Sequence, residues 1–130
     1  MFGAKKKLAK KVLIVEDDSL LSKILSESFS EAKFQVAVVD NGLQVEETAK
    51  SFSPDIILLD LIIPGIDGFE VLKKLKSGEK TKNIPVAVIS NLGSIGDVKS
   101  TKALGADEYF IKSNTEMEKI IKYVKDKLKV

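Results

Sequence analysis

Blocks of apolar and polar residues alternate along the chain, and their spacing predicts alternating strands and helices. A run of four large aliphatic residues at 56–59 suits a strand that is covered on both faces. The predicted strands are residues 12–16, 34–40, 54–60, 85–90 and 108–111. Apolar residues recur at helical intervals after each strand, which predicts five helices. Ser19 and Asp18 are candidate caps for the first helix, and the fourth helix is the weakest because Gly93 and Gly96 interrupt it.

This alternation predicts an α/β fold with a parallel sheet, right-handed crossovers and helices on both sides. A strand order of 2-1-3-4-5 is one common arrangement of such a sheet. The length of 130 residues matches one domain, which we assign to residues 11–130. We interpret residues 1–10 as a solvated basic tail, because no Arg or aromatic residue interleaves its lysines in the way that nucleic acid contacts favour.

The composition narrows the possible chemistry. The sequence contains no Cys and no His, which excludes disulfide frameworks, thiolate metal sites, His-ligated zinc and Ser-His-Asp triads. Carboxylate chemistry and oxygen ligands are the main options left, and these favour hard cations such as Mg²⁺. The absence of Cys suits the reducing cytosol. No apolar run is long enough for a membrane span and no secretory signal is visible, so we expect a cytoplasmic protein that does not bind membranes.

Candidate chemical groups stand where the predicted strands end. Asp60 follows a continuous apolar run, and Glu16 and Asp17 hold the same position after the first strand. Ser90 ends the fourth strand and Lys112 follows the fifth. Because ligands of open α/β sheets bind at the carboxyl ends of the strands, we expect these side chains to meet at one edge. Each alone also fits a structural role, such as a helix cap or a turn, but the combination favours a functional site.

Five segments carry a resemblance to a known family: residues 12–18, 54–60, 64–68, 85–90 and 105–112. Together with the order of the candidate groups, they resemble the receiver domain of two-component response regulators, in particular the stand-alone type used in chemotaxis. The resemblance covers residues 11 to about 129. It implies a flavodoxin-like, doubly wound, five-stranded parallel sheet of order 2-1-3-4-5 with five helices.

The resemblance implies a phosphoacceptor aspartate beside a divalent cation, Mg²⁺ or Mn²⁺. In the family pattern Asp60 accepts the phosphoryl group and binds the metal. Asp17 binds the metal directly, Glu16 contributes mainly through water, and the backbone carbonyl of Ile62 completes the protein ligands. A cation is needed because two unit charges at ~4 Å repel by about 4 kcal/mol at an effective dielectric constant of ~20.

The other catalytic residues implied by the resemblance are Lys112 and Ser90, an ammonium and a hydroxyl for the phosphoryl oxygens. The resemblance also implies a switch formed by Ser90 and Tyr109. In this switch Tyr109 turns inward when Ser90 moves towards the phosphoryl group, and the surface of the fourth helix, fifth strand and fifth helix changes. A half-buried strand aromatic is the structural alternative for Tyr109.

Four positions depart from the family pattern. Ser113 follows Lys112 where a proline is usual, often after a cis peptide bond, so we expect a trans Lys112–Ser113 bond. Asn91 occupies a position that is usually small, which predicts restricted access to the pocket. Ile62 and Leu92 are apolar and cannot orient a hydrolytic water, which predicts slow autodephosphorylation.

The leading hypothesis is a stand-alone signalling switch that takes a phosphoryl group from a histidine kinase or a histidine phosphotransfer protein. It catalyses its own phosphorylation without being a dedicated enzyme, and acts as a monomer or a phosphorylation-dependent dimer on a downstream protein target, without direct nucleic acid binding. The alternative is a phosphorylation-independent receiver-like scaffold or protein-interaction module. A small hydrolase with an aspartyl-phosphate intermediate is disfavoured, because Ile62 stands where a second aspartate is needed two residues past Asp60.

Overall fold

The structure is a computed structural model that describes residues 8–130, and within them five strands alternate with five α-helices. The strands are β1 (Lys11–Val15), β2 (Gln35–Val39), β3 (Ile56–Leu59), β4 (Val86–Ser90) and β5 (Glu108–Ile111). The helices are α1 (Ser19–Glu31), α2 (Val45–Phe52), α3 (Gly68–Ser77), α4 (Ile95–Ala103) and α5 (Met117–Leu128). Of the basic tail expected at residues 1–10, residues 1–7 lie outside the described part of the chain.

The strands form one parallel sheet in the order β2-β1-β3-β4-β5, which confirms the predicted fold. The strand register determines which residues lie next to one another where the strands end. Val15 at the end of β1 is aligned with Leu59 at the end of β3, so the residues that follow them, Glu16 and Asp60, emerge side by side. The ends of β4 and β5 are aligned in the same way. One edge of the sheet therefore receives all the strand-end groups.

Helices cover both faces of the sheet and create two cores. On one face α2 and α3 pack against alternate strand residues, among them Leu13, Ile57 and Val88. On the other face α1 and α5 pack against the intervening residues, among them Ile14 and Leu58. Successive strand residues point to opposite faces, so burial of both faces requires the continuous apolar runs seen in the sequence. The double burial also makes a slip in strand register costly.

The starts of α1 and α4 refine the sequence prediction. Of the two candidate caps of α1, Asp18 is the cap and Ser19 is the first helical residue, because the Asp18 carboxylate accepts hydrogen bonds from the backbone N–H groups of the next turn, at 3.0 and 3.1 Å. Gly93 precedes α4 instead of interrupting it, and Ser94 caps that helix by accepting a hydrogen bond from the backbone N–H of Asp97 at 3.0 Å. Among residues 8–130, every helix is too short or too polar to span a bilayer.

Candidate active site

Three carboxylates meet at the sheet edge. Glu16, Asp17 and Asp60 each offer an oxygen within 4.8 Å of the others. Glu16 and Asp60 are each 3% exposed, whereas Asp17 is exposed. The three acids therefore lie together at the carboxyl edge of the sheet, where the sequence predicted that they would meet. A cluster of oxygen donors with one open side suits a hard divalent cation that keeps some of its water.

Backbone hydrogen bonds fix the two buried carboxylates. The N–H groups of Glu16 and Asp60 continue the sheet ladder onto neighbouring strands, at 3.0 and 3.1 Å. One oxygen of Glu16 accepts the N–H of Asp18 at 3.0 Å, and one oxygen of Asp60 accepts the N–H of Ile62 at 3.1 Å. Each carboxylate is thus held by one oxygen, and its second oxygen contacts the ammonium of Lys112. The metal-binding role expected for the Ile62 carbonyl stays a prediction.

Lys112 bridges the two buried acids. Its Nζ lies 2.6 Å from Asp60 Oδ2 and 2.7 Å from Glu16 Oε1. Burial by itself lowers the pKa of Lys112, but the hydrogen bonds to Asp60 and Glu16 outweigh it and the pKa is raised. Burial raises the pKa of Glu16, against the opposing effects of Lys112 and the Asp18 N–H. One ammonium therefore faces two carboxylates, and the exposed Asp17 adds a third, so the cluster attracts further positive charge.

Lys112 opens a short 3₁₀ helix, Lys112–Asn114, that directly follows β5. The Lys112–Ser113 peptide bond is trans, as expected from the missing proline. The side chain of Asn91 lies against this helix, because its Oδ1 accepts a hydrogen bond from the Ser113 N–H at 3.0 Å. The sequence singled out Asn91 and Ser113 as separate departures from the family pattern. The structure joins them.

Ser90 and Tyr109 are linked through the loop before α4. Ser90 is fully buried, and its Oγ accepts a hydrogen bond from the Leu92 N–H at 3.3 Å. The Tyr109 hydroxyl donates to the Leu92 carbonyl, and burial raises the pKa of this half-buried tyrosine. The two expected switch residues thus hold the same loop residue. Their action as a switch stays a prediction.

The chain belongs to the response regulator receiver domain family, whose profile matches residues 12–125. Sporulation initiation phosphotransferase F of Bacillus subtilis is 36% identical over 102 residues, a match that covers 78% of this chain and 81% of that protein. The DNA-binding dual master transcriptional regulator RpaA of Synechocystis sp. is 35% identical over 102 residues, which are 78% of this chain. The chain spans only 42% of the length of RpaA.

Comparison with solved structures agrees with this membership. The crystal structure of the phosphorylated cyanobacterial phytochrome response regulator RcpA has a TM-score of 0.76 and 29% sequence identity, and the match covers 92% of this chain and 91% of that one. Receiver domains interact with histidine kinases or phosphotransfer proteins. The acidic cluster lies at the carboxyl edge of the sheet, where open α/β folds bind ligands.

Proposed function

We propose that this receiver domain is a phosphorylation-activated switch that accepts a phosphoryl group on Asp60 from a phosphohistidine donor. The main support is the position of Asp60, which is 3% exposed and directly follows β3. Its carboxylate contacts the Lys112 ammonium at 2.6 Å and lies beside two further acids. These groups supply a nucleophile and the means to neutralise phosphoryl charge. The 29% identical RcpA structure is of a phosphorylated protein, which supports the proposal.

Glu16, Asp17 and Asp60 fit a bound Mg²⁺ or Mn²⁺. Their donors are all carboxylate oxygens within 4.8 Å of one another, and the exposure of Asp17 leaves room for the water ligands that Mg²⁺ retains. The Ile62 carbonyl is the proposed further ligand. A bound divalent cation supplies charge neutralisation between the acids and the incoming phosphoryl group.

The protein groups then act on the phosphoryl group directly. A carboxylate oxygen of Asp60 forms the new O–P bond while the N–P bond of the donor breaks, and the electron pair stays on the leaving imidazole. The ammonium of Lys112 moves from Glu16 and Asp60 to a phosphoryl oxygen and neutralises part of the negative charge of the phosphoryl group. The Ser90 side chain moves so that its hydroxyl donates to another phosphoryl oxygen. This movement takes its oxygen away from the Leu92 N–H and alters the loop that Tyr109 holds. Catalysis consists of positioning and charge neutralisation.

An apolar surface on which a protein donor can dock lies beside the phosphoacceptor Asp60. Leu20 and Ile24 of α1 are 68% and 43% exposed, although helical periodicity makes them part of the apolar stripe of α1. They line a cavity of about 320 Å³ that also includes Lys112. Docking of a histidine kinase or histidine phosphotransfer protein on this face brings its phosphohistidine towards Asp60. The proposal includes a cytoplasmic location and output through contact with a downstream protein.

A slow loss of phosphate is part of the proposal. Ile62 is 56% exposed beside Asp60, and neither its side chain nor that of Leu92 carries a group that orients water. The phosphorylated protein, separated from its donor in Mg²⁺ buffer, is expected to keep its phosphate for many minutes. A half-life of seconds in the absence of a phosphatase contradicts this part of the proposal.

Labelling with acetyl phosphate and Mg²⁺ tests the proposed function. The wild-type protein is expected to gain the mass of one phosphoryl group, and Asp60→Asn is expected to gain none. Asp67→Asn is the matched control: Asp67 caps α3 by accepting the Glu70 N–H at 3.1 Å, and asparagine retains that capping oxygen. This control should label like the wild type. Failure of the folded wild-type protein to label contradicts the proposal and favours the phosphorylation-independent scaffold.

A further inference from the structure

The hydrogen bond between Asn91 and Ser113 joins two loops at the candidate active site. The Ser113 N–H donates to Asn91 Oδ1 at 3.0 Å across 22 residues of sequence. Asn91 directly follows the buried Ser90, and Ser113 directly follows Lys112. The bond therefore connects the neighbours of the two groups that the proposed function assigns to phosphoryl oxygens.

Local structure explains why this bond forms. The 3₁₀ helix that starts at Lys112 is preceded by Ile111, whose side chain makes no capping hydrogen bond. The first N–H groups of a helix lack partners within the helix, and a capping side chain normally accepts from the second or third helical residue. Ser113 is the second. Asn91 thus acts as a helix cap supplied from the end of another strand. Beyond the helix, the Thr115 hydroxyl donates to the Ile111 carbonyl at 2.8 Å.

The cap acts on the residue that carries the ammonium. Lys112 has a long side chain with high rotamer entropy, so the position of its Nζ depends on how firmly the backbone at its base is held. Ser113 and Asn91 are both exposed, and neither is in the core that holds the sheet. The Asn91 Oδ1 is the side-chain acceptor for the Ser113 N–H. A residue without a backbone N–H at position 113, such as proline, has no use for this acceptor.

We propose that Asn91 is a positioning residue that orients Lys112 for phosphoryl transfer by capping the Ser113 N–H. The inference rests on the proposed function of Asp60. It assigns the two departures from the family pattern a joint role: the asparagine provides the acceptor that a trans, non-proline Lys112–Ser113 segment requires.

Three variants test this role, with two independent measurements. Asn91→Ala removes the acceptor, Asn91→Asp keeps it, and Ser113→Ala removes the hydroxyl but leaves the N–H. Amide hydrogen exchange is expected to show that Ser113 loses protection in Asn91→Ala and keeps it in Asn91→Asp. In Ser113→Ala, the amide of residue 113 is expected to keep its protection.

The second measurement is phosphorylation by acetyl phosphate in Mg²⁺ over a range of donor concentrations. The maximal rate of Asn91→Ala is expected to fall by about fivefold, the factor that corresponds to one net hydrogen bond. The half-saturating donor concentration should change by less than about twofold, because Lys112, the residue that the lost cap positions, acts in the transition state. Ser113→Ala is expected to match the wild type in both quantities.

The outcomes separate this inference from the proposed function. Unchanged Ser113 protection in Asn91→Ala overturns the capping bond. Lost protection with a wild-type maximal rate overturns the positioning role. Equal slowing in Ser113→Ala overturns it as well, because that variant retains the N–H. Failure of the wild-type protein to label counts against the proposed function instead, and the exchange comparison still decides whether the cap exists.

Discussion

Replacing Lys112 with methionine tests the electrostatics of the site. The ammonium contacts Asp60 at 2.6 Å and Glu16 at 2.7 Å, and the three side chains are 17%, 4% and 3% exposed. At an effective dielectric constant of ~20, each contact corresponds to about 6 kcal/mol of Coulomb attraction. Desolvation of the ammonium offsets much of this sum, and removal of one partner from a buried ion pair costs about 3 to 5 kcal/mol in practice.

We therefore expect Lys112→Met to lower the free energy of unfolding by about 3 kcal/mol in EDTA, the lower end of that range because the lysine is partly solvated. Urea denaturation followed by far-UV circular dichroism measures this change. Lys122→Met is the matched control, because Lys122 lies 2.9 Å from Asp126 with the two side chains 77% and 67% exposed. Such surface pairs contribute about 1 kcal/mol or less.

Magnesium should reverse part of the difference. In the Lys112→Met variant no ammonium competes for the oxygens of Glu16 and Asp60, so we expect Mg²⁺ to bind more tightly than in the wild type. A ligand at about 100 times its Kd stabilises the folded state by about 2.7 kcal/mol. The gain from a fixed Mg²⁺ concentration is expected to be larger for Lys112→Met than for the wild type. Equal losses in the two lysine variants, or equal gains from Mg²⁺, refute this reasoning.

Further predictions concern titration, packing and donor docking. Burial and, to a smaller extent, neighbouring acidic charges raise the pKa of Tyr123 to about 12, whereas unfolded tyrosine ionises near ~10. The free energy of unfolding should therefore fall as the pH rises from about 10 to about 12. Ultraviolet titration of Tyr109→Phe, which leaves Tyr123 as the one remaining tyrosine of the two, should show ionisation near pH 12; ionisation near pH ~10 contradicts this. Gly68→Ala puts a Cβ 2.3 Å from the Cα of Leu61 in the loop after β3, and thermal unfolding should show a stability loss of about 3 kcal/mol. Gly96→Ala, whose Cβ would lie 3.7 Å from its nearest neighbour in α4, should gain about 0.5 to 1 kcal/mol of stability. Similar stability changes in the two variants contradict this packing. Ile24→Asp should slow phosphotransfer from a protein donor by about tenfold and leave the acetyl phosphate rate unchanged; loss of both rates contradicts the docking face.

The sequence predicts the fold and the acidic cluster for the same reason. Central strands buried on both faces need unbroken apolar runs, so the first polar residue after each run marks the edge of the sheet. Parallel strands bring these edges together, which is why the pattern of the chain is enough to pair Glu16 with Asp60. Lys112 joins them because it directly follows the fifth strand, but its contact with both acids depends on side-chain geometry.

Other features depend on how neighbouring segments meet. Asp18 and Ser19 are both good capping residues, and only the start of α1 distinguishes them. Leu20 lies on the apolar stripe of α1 but is 68% exposed. Helical periodicity could not predict this, because it identifies an apolar position without saying whether the protein or a partner covers it. The bond between Asn91 and Ser113 joins two loops whose separation in space no local pattern encodes. The site residues were therefore accessible from sequence, while their supporting contacts were not.

The most direct test of the central claim is to identify which residue carries the phosphoryl group. Protein labelled with acetyl phosphate in Mg²⁺ is treated with borohydride, which reduces an aspartyl phosphate to homoserine, and the modified peptide is sequenced by mass spectrometry. Homoserine at position 60, and at no other aspartate, is the predicted result. Modification at Asp17 or Asp18 instead, or no modification of the folded protein, contradicts the assignment of Asp60 as phosphoacceptor.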